Sequence, residues 1–156
     1  MAPSTSRRFT LSLGAAAALT SLLLAGCGTM MPPAKDSNLV AFTTQLRGAN
    51  EVPPAATSAT GQVDAVLDKN TNLLRWKLTY AGLTGPAMAG HFHGPASVGA
   101  NAGVALPFPG RISSPMEGSA TLTAAQATDL LAGRWYANIH TAAYPGGEIR
   151  GQMTPR

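Results

Sequence analysis

The sequence has a single cysteine, Cys27, in 156 residues. That excludes an internal disulfide and any thiolate-based zinc cage. Charge is also scarce, at 12% of the chain. A protein that tracks phosphates needs clustered Lys and Arg, and the eleven basic residues here are scattered, so a net charge of +4 makes no case for nucleic acid. Length leaves room for one domain of ordinary size. No Gly-rich loop follows a strand and opens a helix, so a nucleotide-binding signal is missing. What the chain does hold is 17 Gly, 12 Pro and 45% hydrophobic residues. Intrinsic disorder does not suit that apolar content, whereas a small β-rich domain with many turns does.

The front end distorts the composition. Residues 1–26 read as an export signal, with a basic start at Ser6-Arg7-Arg8 and an apolar stretch from Leu11 to Ala25. The stretch is shorter than the roughly 20 residues a lone helix needs to cross a bilayer. It ends at Leu24-Ala25-Gly26-Cys27, which resembles the bacterial lipobox, where a peptidase cuts before a cysteine that carries diacylglycerol. Lipidation (palmitate or similar acyl chains) at Cys27 is therefore expected, because each buried CH₂ contributes about 0.8 kcal/mol and two or more chains anchor firmly. The expected place is the bacterial cell envelope, facing the periplasm or exterior, with the membrane as partner through the N-terminal lipid. Paired arginines fit twin-arginine export partially and a general basic start equally well. Removing the leader takes away Arg7 and Arg8 and no acid, so the net charge falls from +4 to +2. Residues 27–38, with Pro32-Pro33 and small polar neighbours, read as a tether.

From Leu39 to Met153 the pattern has period two, the mark of half-buried strands. Val40, Phe42, Thr44 and Leu46 alternate with Ala41, Thr43, Gln45 and Arg47; Val63, Ala65 and Leu67 alternate with Gln62, Asp64 and Asp68. Leu74, Trp76, Leu78 and Tyr80 form the clearest set. Residues 87–93 set Met88, Gly90 and Phe92 against Ala89, His91 and His93, and Trp135, Ala137 and Ile139 oppose Tyr136, Asn138 and His140. Tyr144-Pro145-Gly146-Gly147 predicts a type II turn before a last strand over 148–153. One helix interrupts, starting at Thr123-Ala-Ala-Gln126 with capping-box spacing and stopping at Gly133. Seven or so short strands and one crossover helix predict an all-β antiparallel sandwich.

Five phrases then occur in order: Leu46-Arg-Gly-Ala-Asn-Glu-Val-Pro-Pro54, Thr57-Ser-Ala-Thr-Gly61, His91-Phe-His-Gly-Pro-Ala96, Gly133-Arg-Trp-Tyr-Ala-Asn-Ile-His-Thr141 and Pro145-Gly-Gly-Glu-Ile-Arg-Gly-Gln152. Together they resemble the CHRD domain, the module repeated in chordin and found alone in bacterial secreted proteins, across residues 39–153. The resemblance implies an immunoglobulin-like β-sandwich in an extracytoplasmic protein and says little about activity. In chordin, growth-factor binding is credited chiefly to separate cysteine-rich modules that this chain lacks.

The three histidines carry the most pointed chemistry. His91 and His93 lie two apart on an expected strand, so their rings leave one face with Cα atoms about 6.5 Å apart. Neutral imidazole suits copper and zinc, and His140 falls on the polar parity of its own strand. Convergence of all three would make a metal site. A duller role competes, in which a histidine beside Gly-Pro or Thr hydrogen-bonds a loop backbone. The hairpin register is expected to place Arg150 near His140 and Glu148 diagonal to it, which disfavours a cation unless Glu148 neutralises the guanidinium. Glu51, Pro53 and Pro54 are expected to fix a bend, and Glu148 to pair with Arg150. Catalytic sets fare worse: nothing resembles a nucleophile elbow, Glu51 and Glu148 have structural explanations in place of a facing carboxylate pair, and dismutase chemistry needs more histidines. The leading expectation is a lipid-anchored binding or structural module, not an enzyme, with copper or zinc as its ligand. An adhesion or protein-interaction module without metal stands second.

Overall fold

A computed structural model describes residues 38–156. The leader, the lipobox at Cys27 and all of the tether but Asn38 lie outside those residues. Alternation becomes strand wherever the sequence carries it. β1 (Leu39–Arg47), β2 (Thr60–Asp68) and β3 (Leu73–Ala81) form a meander, followed by β4 (Ala87–His93), β5 (Val104–Pro107), β6 (Met116–Thr121), α1 (Ala124–Leu131), β7 (Trp135–Thr141) and β8 (Ile149–Pro155). In the β2–β3 turn the Asp68 carboxylate accepts from the Asn70 N–H at 2.8 Å. Asn72 there takes a positive φ of 54°, a conformation Asn tolerates.

All pairings are antiparallel, and the eight strands make one continuous sheet in the order β5-β4-β7-β8-β1-β2-β3-β6. An all-β antiparallel fold with one helix is therefore observed, but the ladder runs through a single curled sheet where two separate sheets were expected. The link is β8 against β1, which pair at Phe42–Pro155, Thr43–Thr154 and Arg47–Arg150. Gly151 permits that approach, because a Cβ there would collide with Thr44 Oγ1 and the Gln45 carbonyl. Accumulated strand twist then curls the sheet. As a result Trp76 on β3 meets Phe92 on β4 edge-on at 5.4 Å, although four strands separate them in the sheet.

The curl encloses one core. Phe42, Leu46, Val63, Leu67, Leu74, Leu78, Phe92, Trp135, Ile139, Ile149 and Met153 are fully buried in it. Each such aliphatic or aromatic side chain contributes roughly 1.5–3 kcal/mol. Helix α1 adds Ala127 and Leu130. Its capping box forms as the sequence predicts, with Gln126 N–H donating to Thr123 Oγ1 and Thr123 N–H to Gln126 Oε1. Gly133 takes φ 68° beyond the helix end.

Three local expectations change. β5 and β6 escape the sequence reading: β5 is four residues without alternation, and β6 alternates but sets only Met116, Gly118 and Ala120 inward, a weak apolar signal from short strands at the two edges of the sheet. Met88 is 69% exposed although it shares parity with Phe92, because the β4–β7 register shifts between Ala87 and Ala89 and leaves Met88 as the extra, unpaired residue. The turn at 144–147 is closed by Gly147 N–H to the Tyr144 carbonyl at 3.1 Å. Its positive φ falls on Gly147 at 132° and not on Gly146, so it is not type II.

Candidate metal centre

Three adjacent strands present polar side chains away from the core. Register sets His91 of β4 opposite Asn138 of β7, which in turn faces Arg150 of β8. The next row is His93, Tyr136 and Gln152, and His140 stands across from Ala89. On an ordinary sheet this face would meet water. Here Tyr136, Asn138 and Arg150 are only 2–3% exposed and His93 is 8% exposed. Two loops cover them, one between β1 and β2 and one between β4 and β5.

The second loop is pinned by the face it covers. Arg150 donates to Asn101 Oδ1 at 2.9 Å and to the Ala100 carbonyl at 2.5 Å. Tyr136 Oη accepts from Ala102 N–H at 3.2 Å. Gln152 Nε2 donates to the carbonyls of Ala96 at 3.0 Å and Gly133 at 2.8 Å. The guanidinium of Arg150 lies 3.4 Å from the centre of the Tyr136 ring, and the His93 ring stacks on Tyr136 at 4.8 Å with 3° between planes. Cation, phenol and imidazole thus form a layered stack that fixes the His93 ring.

The three histidines converge. His91 Nδ1 lies 3.1 Å from His140 Nε2, and one ring nitrogen from each of His91, His93 and His140 falls within 4.8 Å of the others. Two rings are oriented by backbone carbonyls: His93 Nδ1 by Ala102 at 3.0 Å and His140 Nδ1 by Pro145 at 2.9 Å. A carbonyl only accepts, so each of those Nδ1 atoms carries a proton, and in the neutral ring the lone pair is then on Nε2. Metal-binding histidines are held in this way by their second nitrogen. Burial depresses the protonation of His91, helped by His140 and His93. Burial likewise depresses that of His93, with the Ala102 hydrogen bond working against it. Neutral rings are the metal-binding form. Three nitrogens at 2.0–2.1 Å from a tetrahedral ion would sit about 3.3 Å apart, so the widest pair must close somewhat on an ion. The donor set fits copper or zinc. The loop-holding role expected of a histidine beside Gly-Pro is also real, but it occupies only one nitrogen of His93.

The remaining sequence-predicted residues sit around this centre. Glu148 N–H donates to the Ile139 carbonyl and Ile149 pairs with Ile139, so Arg150 faces Asn138 and not His140. Its charge is directed onto Tyr136 and the loop. Nor does Glu148 pair with Arg150. Its fully buried carboxylate accepts from Thr57 Oγ1 and Thr84 N–H at 2.9 Å each, from Thr84 Oγ1 at 2.9 Å and from Thr141 Oγ1 at 2.6 Å. Burial alone would raise this carboxyl, but those hydrogen bonds together hold it below the usual range. Glu51 is 5% exposed. Burial pushes it up to about 7, against the lowering pull of Arg150 and of the Asn138 amide. Gly147 lies against it, since a Cβ there would strike Glu51 Oε1 and Asn138 Nδ2. Pro53 and Pro54 follow Glu51 and line a shallow cleft with Tyr144 and Pro145. Cys27 lies outside the described residues.

Sequence reasoning singled out the histidines and missed Tyr136, Asn138 and Asn101. For the first two the signal was present, because they share the outward parity of His140 on β7.

No curated protein and no solved structure matches this chain. The model of the CHRD domain matches residues 42–153, which runs from within β1 to within β8 and takes in all three histidines. The chain belongs to the CHRD domain family.

Proposed function

We propose that this protein is a binding module of the bacterial envelope, held to the membrane by lipid on Cys27, whose ligand is a transition-metal ion at His91, His93 and His140. The observation that carries the metal reading is the convergence of three imidazoles, two of them oriented by backbone carbonyls. A binding role suits the site better than catalysis, because the surrounding Tyr136, Arg150 and Gln152 are committed to holding a loop. Copper and zinc are the ions that imidazole nitrogen accepts best among those the cell envelope meets.

The test is metal content and affinity of the purified full chain beside His91→Ala/His93→Ala. One equivalent of zinc or copper bound below micromolar concentration, and lost in the double variant, is expected. Equal binding by the two proteins, or none by either, overturns the metal reading. For the anchor, Cys27→Ser should move the protein from the membrane fraction to the soluble one; unchanged partitioning overturns it.

A further inference from the structure

Four buried acceptors of the covered face lack a hydrogen-bond partner, Glu51 Oε1, His93 Nε2, Asn138 Oδ1 and Gln152 Oε1, and the His93 and Asn138 atoms belong to neighbouring side chains. His93 Nε2 is buried, keeps a lone pair because Nδ1–H serves Ala102, and has no hydrogen-bond partner. The Asn138 side chain is within hydrogen-bonding reach of that ring. The other end of the amide lies against Glu51, to which it donates. Asn138 therefore turns its Oδ1 toward His93, and this oxygen too is buried and unpartnered. An unmet buried acceptor destabilises the fold, because it has given up water without gaining a partner. Turning the amide end for end would give His93 a donor, but it would then set the Asn138 oxygen against the Glu51 carboxylate. A cation between His93 and Asn138 satisfies both acceptors at once.

The placement agrees. Asn138 is the register partner of His91 and lies two residues from His140 on the same face, so it stands amid the three imidazoles. Its side chain is shorter than theirs, which puts it at the floor of the group. Resting on the three-histidine reading, we propose that Asn138 Oδ1 is the fourth ligand, making a site of three nitrogens and one oxygen for a divalent ion, zinc or Cu(II). Four-coordination by borderline nitrogen and oxygen is the closed arrangement zinc favours in protein sites. Glu51, accepting from the amide nitrogen, aims the ligand oxygen and is a positioning residue.

The experiment measures Zn(II) and Cu(II) affinity of the full chain by competition with a chromophoric chelator, for the parent, Asn138→Ala, Asn138→Asp and His93→Ala. The visible spectrum of Co(II)-loaded protein is read alongside. Asn138→Ala should weaken binding by about 10–100-fold and change the Co(II) spectrum, while His93→Ala weakens it more. Asn138→Asp restores an oxygen at the same place and should bind at least as tightly as the parent, which a merely structural role for Asn138 would not produce. If Asn138→Ala does not fold, Asn138→Asp decides: affinity at or above the parent with an altered Co(II) spectrum supports the assignment, and weaker binding overturns it. Parent-like affinity and spectrum in Asn138→Ala overturn the fourth ligand alone. A parent that binds no divalent ion overturns the three-histidine reading and this proposal together.

Discussion

The two outward faces of the curled sheet are built from the same polar residue types and do different things. On the β1-β2-β3 side, Asp64 accepts from Thr43 Oγ1 at 2.7 Å and Gln62 Nε2 at 2.6 Å, lies 3.7 Å from Arg156 and stands opposite Lys77. On the β4-β7-β8 side, Glu148 gathers four hydrogen bonds from Thr57, Thr84 and Thr141. The number of partners is similar, but the setting is not: the Asp64 side chain is 50% exposed, whereas Glu148 is fully buried. Water competes for every contact of the first carboxylate and for none of the second. Polar groups on a strand thus become structural or chemical only where a loop takes water away, and in this protein the loops cover one half of the sheet.

The comparison breaks most visibly at Glu148. Removing the carboxylate in Glu148→Ala strands three hydroxyls and one backbone N–H in the interior, a loss of about 3–5 kcal/mol by analogy with other buried networks. For a domain of this size each kcal/mol moves the melting temperature by about 4 °C, so calorimetry should show a fall of more than 10 °C. Glu148→Gln keeps the shape and some acceptor capacity and should recover part of it. A fall of only a degree or two in Glu148→Ala would mean that the carboxylate is no better sheltered than Asp64.

How much of this was legible follows from the same contrast. Period-two alternation marks which side of a strand faces the core, and so β1, β2, β3 and β7 stand in the sequence almost residue by residue. It does not say whether strands join one sheet or two. That depends on the β8–β1 contact, which rests on the missing side chain of Gly151. Likewise the parity of Tyr136, Asn138 and His140 was visible, but outward parity ordinarily means solvent. Their burial comes from loops of small residues, such as Gly94–Gly103, whose path no periodicity encodes. The convergence of His91, His93 and His140 was therefore a conditional expectation, while the Arg150–Tyr136–His93 stack could not be seen without the register.

The covered face should also leave its mark on pH dependence, with two opposed limbs. His91 and His93 have depressed protonation in the fold, so the unfolded chain takes up their protons first. Stability from this source is present above about pH 6.5 and is lost as pH falls through the lower folded values. Glu51 acts the other way. Its carboxyl rises from 4.5 to about 7, so its contribution is full below about 4.5 and is lost as pH rises through 7. The loss is on the order of 2 kcal/mol after allowance for solvent screening. In metal-free protein, Glu51→Gln should flatten the decline in melting temperature between pH 5 and pH 8, and His93→Gln should flatten the acid limb. An unchanged alkaline decline in Glu51→Gln would assign it to another group.

The smallest expected effect sharpens the comparison from the solvated side. Asp64→Ala removes as many polar contacts as Glu148→Ala, yet each partner is left in water and regains its hydrogen bonds there. Exposed pairs contribute about 0–1 kcal/mol, so the midpoint of denaturant unfolding should move by the equivalent of about 0.5 kcal/mol. What remains is mostly the interaction with Lys77 and Arg156, which salt screens over about 8–10 Å at physiological ionic strength. The difference between parent and Asp64→Ala should accordingly shrink toward zero at 1 M salt, while the Glu148→Ala difference should persist there. If both differences respond alike to salt, the loops do not exclude water from the covered face, and the distinction between the two halves of the sheet collapses.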